Sequence, residues 1–536
     1  MKKMIVALCV SAIALPAVYA NVYASEAKSA ADAVTKKNLQ TTRQYYAQLI
    51  AGTPGAQTRL AELNMLMTML PKGGDIHHHY TGSVYAETYL DWIGQQGFCI
   101  YRESDSAKKQ EKFRIESRPA FLTDENKSCL KADAIRKDNL FYRELMSTWS
   151  VVDFSNHVHP QVAPDQHFFN TFGYFSGISK YSTNVGLRIL KQQAKAENQQ
   201  YLETMLKSAP ITDHPELSAK IDALQSSSSK EAQTQAYKEA QTQAYKEAQT
   251  QAYKEAQTQA FEQFADFLAK DAGAQKKIAD YVQETINDAA GIDDADFTLR
   301  IQTYVSRNSA PSKVFSSLYA AFAASQNNPL IVGVNIVGAE HALVAVRDYD
   351  LHMQMFAFLK QRFPKVRLSL HAGELVLGIV PPEHLQHHMR SALQIAGAER
   401  IGHGVDIMHE ANPDQLLAEL KRRDVPVEIN LTSNDFILGL KQHEHPVAMY
   451  MRHDVPFVIS SDDAGVSRSN LSREYFLFAS RYTPSYDSLK KTVYNSIRYS
   501  FLSPTDKAAQ MRQLDQRFAK FEAAAANLAK SAKSQF

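Results

Sequence analysis

Two histidines separated by one residue in an extended stretch carry their rings on the same face. Ile76-His77-His78-His79 has that spacing, so His77 and His79 could grip one metal ion while His78 points away. His371 ends a second apolar run, and Asp462 ends a later one. Three neutral imidazoles and one carboxylate suit Zn²⁺, one ion per chain. They leave room for a water, whose pKa on such a metal falls to about 7. Glu374, three residues after His371, could face that water across a substrate, and His403 could orient or deprotonate it. Asp463 points away from its neighbour Asp462 and could receive a hydrogen bond from a substrate ring. Each residue also has an ordinary reading. A buried histidine is commonly a satisfied core residue, and Asp-Asp after a strand commonly caps a helix. Arrival at successive strand ends favours the chemical reading.

The elements that must position these groups are legible in the second half of the chain. Short apolar runs recur at 299–305, 330–337, 366–370, 400–402, 425–429 and 455–459. Most are separated by stretches with helical periodicity, the mark of repeated β-α units around a parallel sheet. Several runs end in polar clusters: Gly338-Ala339-Glu340, His371 to Glu374, His403, Ser433-Asn434 and Asp462-Asp463. A doubly wound sheet fits the spacing, but only a barrel brings so many strand ends to one mouth. The expected fold is therefore an α/β chain of the (β/α)₈ TIM-barrel type over 71–505. Ahead of it, apolar residues at helical spacing predict a helical segment over 25–70, broken at Thr53-Pro54-Gly55. Residues 85–160 read as an irregular insertion and 506–536 as a C-terminal helix or tail.

Composition bounds the function. With 44% hydrophobic and 22% charged residues the chain is an ordinary globular one. A formal net charge of +2 over 536 residues, without long like-charge runs, speaks against nucleic acid and for a small-molecule partner. Lys2 and Lys3 precede an apolar stretch from Met4 to Val18, and small residues flank Tyr19 and Tyr23 as cleavage sites require. Residues 1–24 are thus expected to be a signal peptide, giving an exported protein, periplasmic or secreted, without a membrane anchor after cleavage. Its removal leaves Cys99 and Cys129, a pair expected to bridge in an oxidising compartment. From 230 to 261 KEAQTQAY occurs three times and KEAQTQAF once, which predicts an exposed helix grown by duplication. His384, His387 and His388 are expected on an outer barrel helix, partly solvated.

The combination IHHHYTG, HAGE, RIGHGV and SSDDAG, in that order, resembles the metal-dependent adenosine/AMP deaminase family. Segments LPKGGDIHHH at 70–79, HFFNTFG at 167–173, QYLET at 200–204 and 445–465 are similar to its secreted branch, the adenosine deaminase-related growth factors. The likeness spans roughly residues 40–505; the repeat has no place in it. It implies zinc ligands at His77, His79, His371 and Asp462. It further implies a proton donor to purine N1 at Glu374, a water-orienting base at His403, an N7 partner at Asp463 and an N3-facing backbone amide at Gly338. The implied reaction is hydrolytic deamination of adenosine or 2′-deoxyadenosine to the inosine product and ammonia, on a cyclic amidine C–N bond. Two departures stand out. Tyr80-Thr81 replace the acid that usually follows the second metal histidine and meets the sugar, and Ala464 stands where Pro is common. The alternatives are deamination of AMP or adenine, a nucleoside-binding or signalling protein on the same fold, and an amide or ester hydrolase; a homodimer is left open.

Overall fold

The computed structural model describes residues 14–51, 59–105, 110–118, 128–155, 162–224 and 243–533. The first thirteen residues of the expected signal segment, the break at 53–55 and the opening of the repeat lie outside them. Among the described residues, no helix is long and apolar enough to cross a membrane.

Eight parallel strands form the core of the molecule: β1 (Gly73–His79), β2 (Gln199–Ser208), β3 (Thr298–Ser306), β4 (Ile331–Val337), β5 (Ser369–Ala372), β6 (Arg400–His403), β7 (Val427–Ile429) and β8 (Phe457–Ile459). They pair in two four-stranded sheets, β1-β2-β3-β4 and β5-β6-β7-β8. Two seams close these sheets into a barrel. Val334 bridges Leu368 between β4 and β5, and His78 bridges Asp462 between β1 and the end of β8, both parallel. The expected strands thus form, but β2 gives no apolar run: its sequence QQYLETMLKS alternates poorly because both faces are buried.

Helices cover the barrel wall, several of them opened by proline at the first turn, where a missing N–H costs nothing, as at Pro164, Pro311 and Pro413. The N-terminal helix Ala14–Ile50 runs against the C-terminal helix Pro504–Lys533. There Thr42 donates to the Glu522 carbonyl at 3.1 Å.

Three expectations need correction. The insertion after β1 is regular: helices Ala86–Gln96 and Asn139–Thr148 flank a three-stranded antiparallel sheet of 99–105, 110–116 and 130–131. Cys99 and Cys129 are bonded across it, with Cα atoms 5.5 Å apart. The repeat is not wholly an exposed spacer. Its last copies lie in helix Gln243–Lys270, where Phe261 is buried and stacks on Phe315 at 4.9 Å. The copy carrying Phe in place of Tyr docks most deeply; in the copy before it Tyr253 is half-buried against the same core and its hydroxyl donates to the Leu224 carbonyl at 3.5 Å. Finally, His388 is fully buried rather than solvated and stacks on Tyr349 at 3.6 Å.

Candidate active site

β1 delivers His77 and His79 to the barrel mouth, β5 delivers His371, and the turn after β8 delivers Asp462. The seam itself fixes them: Asp462 N–H donates to the His77 carbonyl at 3.0 Å, and His79 N–H to the Asp462 carbonyl at 3.1 Å. Ligand-capable atoms of these four residues lie within 4.8 Å of one another. His79 Nε2 is 3.2 Å from His371 Nε2 and 3.2 Å from Asp462 Oδ1, while His77 Nε2 lies 3.4 Å from the same oxygen.

The donor set fits a metal ion. The far nitrogens of two imidazoles are already occupied: His77 Nδ1 meets Glu428 Oε2 at 2.6 Å, and His371 Nδ1 meets Asn335 Oδ1 at 2.8 Å. Both rings therefore turn Nε2 toward the common centre, and His77 Nε2 is buried there without a hydrogen-bond partner. Outer partners of this kind orient metal-binding histidines and set their tautomer. Ser433 Oγ donates to the remaining Asp462 oxygen at 2.6 Å.

Glu374 and His403 form a second group with Asp462, again within 4.8 Å. His403 Nδ1 is 3.6 Å from Glu374 Oε1. Burial pushes the Glu374 carboxyl well above its ordinary range, and the charges of Asp462 and Glu340 add to the effect. Burial likewise pushes His403 down to about 3, so its ring is neutral. Asp463 is pushed up to about 8, chiefly by burial, and its Oδ1 has no partner. It fits only because residue 82 is glycine: a Cβ there would lie 1.6 Å from that oxygen. Gly338 directly follows β4 with φ +98° and is neighboured by Asn308, Ser306 and Arg307.

Arg307, Glu428 and Asn335 carry no motif of their own, and sequence reasoning read Glu340 only as part of a polar strand end, without a role. Glu340 accepts the Gly373 and Glu374 N–H groups at 3.1 and 2.9 Å, so it clamps the loop that carries Glu374. Burial would raise its pKa, but Arg307 and His388 outweigh that and hold it down at about 2. Below the mouth, Arg400 joins Glu428 at 2.6 Å and Glu203 at 2.5 Å. Glu203 also accepts Gln302 Nε2 at 2.9 Å. This buried polar layer runs from the barrel floor up to His77. The only sequence signal for it was charged residues inside otherwise apolar strands.

The adenosine deaminase family model matches residues 204–517, more than half of the chain. The chain belongs to the adenosine deaminase family. The matched span contains His371, Glu374, His403, Asp462 and Asp463, while His77 and His79 precede it. An adenosine deaminase of Clostridium kluyveri is 29% identical over 177 residues, 33% of this chain and 46% of that protein. Adenosine deaminase 2 of Sus scrofa is 32% identical over 200 residues, 36% of this chain and 37% of that protein. The chain thus spans about half or less of the length of these relatives. The solved adenine deaminase from Arthrobacter aurescens overlays with a TM-score of 0.48 at 14% identity, covering 83% of this chain and 98% of that one.

Proposed function

We propose that the protein is a zinc-dependent adenosine deaminase, acting on adenosine and 2′-deoxyadenosine. The observation that carries this reading is the sharing of Asp462 between a four-ligand metal group and a buried, proton-holding Glu374. Zinc bound by His77, His79, His371 and Asp462 would supply a water ionised near neutral pH, about 7. The chain's own side chains do the rest. Glu374 donates its proton to purine N1 as water adds at C6, so the ring does not have to hold negative charge. Asp463 faces N7, a lone pair that needs a donor. Burial raises its carboxyl and so favours the protonated form, which offers one, rather than the acceptor its sequence position suggested. The Gly338 amide is assigned to N3.

A nucleoside fits better than a nucleotide. The cation beside the cluster, Arg307, already donates to the His371 carbonyl at 2.6 Å and the Ile336 carbonyl at 3.3 Å, and faces Glu340 at 3.5 Å. It is not displayed as a phosphate cradle. We further propose membership of the secreted growth-factor branch and export. The N-terminal pattern supports export, as does the bonded pair Cys99–Cys129, which an oxidising compartment sustains.

Loss of the adenine ultraviolet absorbance, followed over a panel of adenosine, 2′-deoxyadenosine, AMP and adenine, tests the substrate. Both nucleosides should be consumed far faster than the other two. Preferential turnover of AMP or adenine, or none of the four, would contradict the assignment.

A further inference from the structure

Behind His403 lies a chain of hydrogen bonds whose direction is fixed from its far end. The Val447 backbone N–H, which can only donate, reaches His445 Nδ1 at 3.2 Å. His445 is buried and neutral, because burial pushes it down to about 3. A neutral imidazole that accepts at one nitrogen carries its proton on the other. His445 Nε2–H therefore donates to Asn434 Oδ1, 3.0 Å away. That contact settles which end of the Asn434 amide faces which way, a choice otherwise ambiguous for an amide. Its Nδ2 donates to His403 Nδ1 at 3.0 Å, with Asn430 Nδ2 a second, longer donor at 3.4 Å. Asn434 and His445 are both buried and stand on the segment joining β7 to β8: Asn434 in helix Leu431–Leu438, His445 just before helix Val447–Arg452.

We propose that Asn434 and His445 are positioning residues that lock His403 as an Nε2–H donor. His403 then orients the attacking oxygen by donating to it, and does not take the water's proton, which would pass to solvent when the water ionises on the metal, before attack. The general-base role implied by the family resemblance needs a lone pair on Nε2, and the relay places the lone pair on Nδ1 instead. The two roles call for opposite tautomers, so proton position discriminates between them. The inference rests on His403 belonging to the deaminase site.

Asn434→Asp reverses the relay's sense, because a carboxylate beside Nδ1 accepts and draws the proton to that nitrogen. Histidine ¹⁵N labelling of the metal-loaded protein, with His403 assigned by difference against His403→Gln, reads the tautomer directly. Wild type should show Nε2 protonated, and N434D should show the proton at Nδ1. This arm works whether or not adenosine is turned over, so it separates the failure of this inference from failure of the proposed function. In kinetics, N434D should lower kcat by about 10–100-fold, the usual effect of removing a partner behind a functional imidazole, with KM and metal content near wild type. His445→Leu should behave likewise. His445→Gln, which keeps an N–H toward Asn434, should restore most of kcat. An Nδ1-protonated His403 in wild type would overturn the proposal. So would N434D that matches or exceeds wild-type kcat, or an H445Q variant no better than H445L.

Discussion

The two halves of the barrel are built to different rules. Strands β1 to β4 run for 7, 10, 9 and 7 residues, whereas β5 to β8 run for only 4, 4, 3 and 3. The long strands form an extended ladder, and outside them helix 243–270 packs Phe261 on Phe315. In the short half the backbone turns left-handed at Gly373 (φ +80°) after β5, at His403 (+67°) closing β6 and at Asp462 (+58°) three residues past β8; in the long half a strand end does so at Gly338 (+98°), after β4. For non-glycine residues that conformation costs of order 1–3 kcal/mol, and it recurs where function fixes a side chain. The long half chiefly holds the fold, while the short half, joined to β1 at one seam, chiefly holds the chemistry.

That contrast makes damage to the two halves separable. Asp462→Ala strikes the seam and should remove both bound metal and turnover, leaving activity at background; metal analysis of the purified variant checks it, and full occupancy would remove Asp462 from the ligand set. Phe261→Ala strikes the long half. It should lower stability by about 3–5 kcal/mol, as expected for emptying a core aromatic site, while kcat at a permissive temperature stays near wild type. Thermal unfolding beside turnover reads both. Deleting one upstream copy of the eight-residue repeat should be smallest of all, with unfolding midpoint and kcat unchanged, because the copy that docks most deeply is the last one.

How much of this was legible beforehand follows the same division. The short half announces itself: each strand is a compact apolar run ending in a polar motif, so His371, Glu374, His403 and Asp462 stand out by position. In the long half, β2 carries Glu203 and β3 carries Gln302, groups that ordinarily mark an exposed face. Both are buried, made tolerable by Arg400 and by each other. Arg400 meets Glu428 across the paired strands β6 and β7, but only the closed barrel brings it to Glu203, 197 residues away in the chain, and no local pattern could reveal that partner. The same holds for Glu340 and His388. His388 looked like a surface histidine because its helix lies outside the barrel, yet it turns inward to meet Glu340 at 2.6 Å. In the insertion strand 110–116 does alternate, with Phe113 and Ile115 between charged residues, but its partner 99–105 lacks a clear alternation, the third strand is two residues long, and the sheet is tied by a bond between cysteines thirty residues apart.

The central claim is that a buried acid in the short half protonates the purine ring beside a metal held at the seam. Glu374→Gln keeps the side chain's shape and a hydrogen-bond donor, but cannot transfer a proton. Steady-state deamination of adenosine by E374Q, measured alongside its zinc content, is the most direct test. The account predicts about one zinc per chain, KM near wild type and kcat lower by at least the ~10²–10⁴-fold that a lost general acid costs. A zinc-loaded E374Q enzyme turning over adenosine at near wild-type rate would contradict it.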